Sequence, residues 1–135
     1  MQAKGIHHLG VAVEDLDEAV DTYERLFAAE LENRDLVETQ GVEAAAMRVG
    51  HSRVELVAPL GDDTPVGKFL AKRGPGMHHV AYEVADIDAA LAELAEHGAE
   101  LIDQEPREGL FGLEVAFVHP DAAHGVLAEL VSDAR

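Results

Sequence analysis

The sequence predicts an α+β chain built from two copies of one βαβββ module. Three observations predict it: an internal repeat, a change from strand to helix period inside each copy, and short strand-like runs that complete each half. Residues 5–20 align without gaps with residues 76–91. Gly5, His7, His8, Val13, Asp15, Asp17 and Ala19 meet Gly76, His78, His79, Val84, Asp86, Asp88 and Ala90. The match runs on into "AAEL" and "GAEL", and a last echo stands in "VELV" at 54–57 and "AELV" at 128–131. Matched blocks in the same order mark a duplicated module.

The elements follow in order. The run after Gly5 reads as a strand. Asp15 is a helix N-cap with Glu18 three residues on, and Leu16, Ala19, Val20, Tyr23, Leu26 and Phe27 keep helical spacing behind it. Strands are expected at about 30–38, 42–49 and 52–58, with Gln40 opening the second of them. The linker "APLGDDTPVGKFLAKRGPG" is rich in glycine and proline but long enough for a short helix at 65–72. In the second copy Asp86 caps a helix carrying Ile87, Ala90, Leu91 and Leu94, and Gly98 stops it. Strands at about 99–103, 113–119 and 126–132 complete that half. At 135 residues the chain is one domain, 1–135, with modules at about 5–60 and 76–132.

Composition narrows the function. Hydrophobic residues make up 47% of the chain, enough for a packed core. Cysteine is absent, so any metal has to be held by nitrogen and oxygen. The formal charge is -17 and the lysines are Lys4, Lys68 and Lys72. Such a surface repels nucleic acid and anionic membranes, and neither is expected as a partner. It reads either as adaptation to high salt or as an ordinary acidic surface. No run approaches the roughly 20 apolar residues of a membrane span, and "MQAKGIHHLG" lacks the regions of a secretory signal, so a cytoplasmic location is expected.

Strand alternation sorts the paired histidines. His7, Leu9, Val11 and Val13 share one face; His8, Gly10 and Ala12 share the other. In the second copy His78, Val80, Tyr82 and Val84 oppose His79, Ala81 and Glu83. The bulky faces suit packing on a helix, and the small faces leave room for a site, which selects His8 and His79. A lone strand histidine usually has a structural role, and a lone glutamate usually faces solvent. Here Glu55 and Glu129 interrupt apolar strands at matching places, as the histidines do. Buried charge is costly unless paired or bound to metal. Two His–Glu pairs make an N2O2 set suited to a divalent transition ion with open positions.

These blocks resemble the vicinal-oxygen-chelate superfamily, which includes glyoxalase I, extradiol dioxygenases, fosfomycin-resistance enzymes and methylmalonyl-CoA epimerases. The nearest resemblance is to the epimerases. It covers nearly the whole chain through "IHHLGVAV", "QGVEAAAM", "VELVAPLGDDTPVGKFLAKRG", "GMHHVAYEVADIDAAL" and "FVHPDAAHGVLAELV". "HP" followed by "GVLAEL" is the discriminating piece, since glyoxalases usually carry "DPDG" there. The resemblance implies an eight-stranded half-barrel of two paired βαβββ modules around one metal, held by His8, Glu55, His79 and Glu129. It also implies a homodimer. Cobalt is the favoured ion, with manganese, nickel or zinc equally compatible with such donors.

The chemistry implied is interconversion of (R)- and (S)-methylmalonyl-CoA by removal of the α-proton through a metal-stabilised enolate. Glu129 is one expected acid/base group, with Glu55 or Glu43 as the second. Some epimerases carry a glutamate two residues beyond the valine of "QGV". Here that slot is Ala44, and Glu43 lies one residue earlier, a shift that turns a strand side chain to the other face. Lys72, Arg73 and Arg107 could meet CoA phosphates or could be solvated surface. His119 is read as a substrate neighbour or a strand end; His7 and His78 as structural; His51, His97 and His124 as turn residues. The rival readings are glyoxalase I with the same ligands and a non-catalytic small-molecule binder on this fold. An extradiol dioxygenase, which normally uses two histidines and one glutamate, is disfavoured by the fourth ligand, a second carboxylate.

Overall fold

The computed structural model describes residues 1–132 of the chain. Among the described residues, eight strands and three α-helices follow the predicted order except at 99–103, and they fall into two compact units: residues 8–78, and residues 1–7 with residues 79 onward. No helix among the described residues is long and apolar enough to cross a membrane.

The unit of residues 8–78 takes most of β1 (Gly5–Ala12), then α1 (Leu16–Phe27), β2 (Glu30–Val37), β3 (Val42–Val49), β4 (Ser52–Pro59) and α2 (Pro65–Arg73). Its strands lie in the order β2-β3-β4-β1, antiparallel between β2, β3 and β4 and parallel between β4 and β1. Asp15 caps α1 as expected, its carboxylate accepting from the Glu18 N–H at 3.0 Å. The helix closes at Ala28 in the left-handed conformation, φ 52°. Leu16 and Val20 pack on Ala45, Met47, Leu56 and Ala58, with Val11, Val13 and Tyr23 at the margin. The far end of the apolar stripe is exposed at Leu26 and Phe27, and the Phe27 and Tyr23 rings meet edge-to-face. Gln40 does not open β3; it ends a 3-10 turn that Gly41 terminates at φ 66°.

The second unit follows the same plan with β5 (Gly76–Glu83), α3 (Ile87–Glu96), β6 (Arg107–Glu108), β7 (Glu114–Val118) and β8 (Ala128–Ser132) in the order β5-β8-β7-β6. Asp86 caps α3 through the Ala89 N–H, and Gly98 beyond its end takes φ 82°. Ile87, Ala90 and Leu91 pack on Val84, Ala116, Val118 and Leu130. The N-terminal stretch belongs here: the Lys4 N–H donates to the Glu83 carbonyl at 2.8 Å.

One expected strand is absent. Residues 99–103 form only a single bridge, Leu101 with Val118. Ile102 and Asp103 both donate to the Phe117 carbonyl, which is a bulge, and the Asp103 carboxylate then accepts the Phe117 N–H at 2.8 Å. A side chain thus occupies the ladder position that a strand carbonyl would fill. Pro106 adds no N–H, and pairing resumes only at Arg107–Glu108.

Candidate functional site

Each unit has a helix-covered face and an opposite face, and the register assigns every candidate to one of them. In the unit of residues 8–78, Val54, Leu56 and Ala58 of β4 pack toward α1, so Glu55 and Val57 turn the other way. Glu55 is flanked by Gly10 on β1 and Ala46 on β3. These small neighbours leave space above the carboxylate. His8, two residues before Gly10, shares that face and approaches Glu55 with Nε2 3.8 Å from Oε2.

The second unit repeats the plan. Tyr82 and Leu130 pack toward α3, leaving Ala81, Glu129 and Val131 on the other face with Leu113 and Val115. Glu129 is flanked by Ala81 on β5 and Phe117 on β7. His79 places Nε2 3.4 Å from Glu129 Oε1. The two pairs are among the few buried polar groups: His8 is 5% exposed, Glu55 7%, His79 2% and Glu129 2%.

The donors suit a cation. Two ligands on one ion at about 2.1 Å, at right or tetrahedral angles, stand about 3.0–3.4 Å apart. The His79–Glu129 separation falls at that limit, and the His8–Glu55 separation is slightly longer. Neither pair has the 2.7–3.2 Å spacing of a good N–H···O bond. His8, His79 and Glu129 make up the candidate metal-ligand set among the described residues; Glu55 is not in it. Imidazole nitrogens and carboxylate oxygens, without thiolate, are the chemistry expected for a divalent transition ion.

The other candidates lie elsewhere. Glu43 pairs in register with Ala58 and sits on the α1 face of β3, opposite to Glu55. Arg34 holds it there, donating from Nε at 3.0 Å and reaching Asp17 with Nη1 at 2.6 Å. Arg107 stands on the Glu129 face of its unit, opposite Val115, with its Nε 3.1 Å from Asp103 and its guanidinium 5.3 Å from the Phe117 ring centroid. Lys72 and Arg73 are exposed at the end of α2, one turn after exposed Lys68. The remaining lysines and arginines among the described residues pair with carboxylates, whereas no ion pair involves Lys68, Lys72 or Arg73. His78 packs edge-on against Phe69 at 5.0 Å. His119 ends β7, accepting from the Asp121 N–H at 3.1 Å. His51, His97 and His124 are exposed.

Sequence reasoning passed over Asp103, Phe117 and Lys68. The first two owe their importance to the bulge beside β7, which periodicity does not register. Lys68 stands four residues before Lys72, a helical spacing that could have added it to the basic group.

A family profile for the Glyoxalase/Bleomycin resistance protein/Dioxygenase superfamily matches residues 7–117. The ethylmalonyl-CoA/methylmalonyl-CoA epimerase of Cereibacter sphaeroides is 36% identical over 93% of this chain and 95% of its own. The chain belongs to the methylmalonyl-CoA epimerase family. The mitochondrial methylmalonyl-CoA epimerase of Bos taurus is also 36% identical, over 93% of this chain and 72% of its own. Among solved structures, a variant of the Streptomyces coelicolor methylmalonyl-CoA epimerase in complex with 2-nitronate-propionyl-CoA superposes with a TM-score of 0.95 at 38% identity, covering 99% of this chain and 100% of that one. Family membership agrees with the α+β architecture of paired βαβββ units.

Proposed function

We propose that the chain is an isomerase that interconverts (R)- and (S)-methylmalonyl-CoA. The observation that carries this reading is the buried His–Glu pair on the open face of each unit, in a chain of the epimerase family. His8, Glu55, His79 and Glu129 are assigned as the protein ligands of one divalent ion, with cobalt favoured and manganese, nickel or zinc able to replace it. When bound, such an ion would act as a Lewis acid that stabilises negative charge on the thioester oxygen.

The residues supply the rest. The α-hydrogen lies between a thioester and a carboxylate, so breaking its C–H bond leaves an electron pair delocalised as an enolate. Glu129 takes that proton on one face of the substrate, and Glu55 returns one on the other face; the roles exchange in the reverse direction. No external redox partner is needed, because a proton leaves and a proton arrives. The apolar floor of Ala81, Val115 and Val131 keeps water from the Glu129 carboxylate. Glu43, turned away and held by Arg34, is left outside the reaction. Lys72 and Arg73, which no ion pair among the described residues engages, are assigned to the CoA phosphates, whereas Arg107, first read with them, is tied to Asp103 and left out of that assignment. A homodimer, on family resemblance, completes the proposal.

The decisive measurement is α-deuterium uptake by methylmalonyl-CoA in deuterated water, with and without added divalent ions. Metal-dependent uptake with racemisation is expected. Activity confined to methylglyoxal with glutathione would replace this reading with the glyoxalase one, and absence of both activities would favour a binding protein.

A further inference from the structure

The two units bury the same His–Glu pair but surround it differently, above all at one register position. Across from Glu55 the neighbouring strand carries Ala46; across from Glu129 it carries Phe117. The phenylalanine is 7% exposed and stands edge-to-face with the His79 imidazole, ring centroids 5.8 Å apart and planes at 88°. Behind it the Arg107 guanidinium lies 5.3 Å from the ring centroid. Asp103 ties the assembly together: its Oδ2 accepts from Arg107 Nε at 3.1 Å and from the backbone N–H of Phe117 at 2.8 Å. One carboxylate therefore fixes both the strand that carries the ring and the cation that covers it.

We infer that Phe117, backed by Arg107 and Asp103, is a positioning residue that sets the orientation of the His79 ring. An imidazole on a strand rotates about two side-chain bonds, and only a narrow range of those angles directs Nε2 at a cation. Edge-to-face contact with a fixed aromatic ring restricts that range. The position of Phe117 is held by Ala46 in the first unit. The pair beside Phe117 is closer, 3.4 Å against 3.8 Å, and more deeply buried. Residues that orient a metal-binding histidine typically change affinity by about 10- to 100-fold when removed.

This inference rests on the metal reading above, and the test separates the two. Phe117→Leu keeps the site apolar and removes the ring; Phe117→Tyr restores the ring; Arg107→Met removes the covering cation and its bond to Asp103 while leaving the ring in place. Cobalt(II) affinity, the cobalt d–d absorption spectrum and the imidazole 1H–15N signals of the metal-free protein are measured for each, with thermal melts as a folding control. The expected result is about a 10-fold loss of cobalt affinity and an altered d–d band for Phe117→Leu. Its metal-free His79 signals should be broadened or doubled, and Phe117→Tyr should restore all three readouts. Arg107→Met should shift them in the same direction by less. Wild-type affinity, spectrum and imidazole signals in a folded Phe117→Leu would overturn the inference. If the wild-type chain itself bound no cobalt, the metal reading would fall, and the metal-free His79 signals alone would decide the matter.

Discussion

Among single residues, Glu129 is the most committed. It is buried on the open face of its unit, with His79 beside it. Glu129→Gln keeps the shape and removes the base, so epimerisation should fall by roughly 100- to 10,000-fold. A two-base reaction makes a sharper prediction. The variant should still exchange the α-hydrogen of one enantiomer through Glu55 while losing exchange of the other. Separate deuterium-uptake measurements on the two enantiomers check this, and equal loss on both in a variant shown by metal analysis to keep its ion would exclude the division of labour. His79→Ala should lose bound ion with its fold retained, measured by metal analysis beside a melting curve. The buried His8, Glu55, His79 and Glu129 were legible in the sequence, because duplication singled out the same two positions twice. Phe117 was not legible: it reads as one more apolar residue in "VAFV", and only register against β8 places it next to Glu129.

Elements set the precision of that placement. The N-caps of α1 and α3 were visible as aspartate before an apolar period, and both form. Asp86→Ala should cost about 1 kcal/mol, read from denaturant midpoints. The linker helix was visible as well, but the reason its third residue is glycine was not. A β-carbon on Gly67 would come 2.4 Å from the Gly61 carbonyl oxygen and 2.9 Å from the Asp62 backbone, so α2 sits directly against its preceding turn. Gly67→Ala should therefore destabilise by about 1–3 kcal/mol, since backbone has to move. An unchanged melting temperature would show that the turn can yield. The strand expected at 99–103 failed for a related reason. Alternation cannot foresee an aspartate side chain replacing a backbone partner, and Asp103 does so at Phe117.

At the scale of the whole chain, charge dominates. With a net charge of -17 the surface repels itself, and the repulsion weakens as the screening length shrinks from about 30 Å at 0.01 M salt to 3 Å at 1 M. Thermal stability should rise over that range, while the KM for an acyl-CoA should also rise as salt screens Lys72 and Arg73. A protein that gains stability while its substrate affinity falls would distinguish surface repulsion from ligand capture. Acid should act through Glu32. Its hydrogen bond from Arg53, assisted by Arg48, holds this carboxyl below its ordinary value of 4.5. That contribution is fully present above pH 4.5 and is lost as pH falls through the lowered value, so melting temperature should drop there. Arg53→Gln should reduce the slope. The excess of carboxylate was plain in the sequence, but which of them find guanidinium partners depends on strands distant along the chain. The outermost strands have one more consequence. β2 mixes charges with a register slip at Leu31 and Asn33, and β6 is two residues long. Neither offers a smooth ladder to a stranger's backbone, so crowded refolding should yield dispersed protein in place of stacked fibrils.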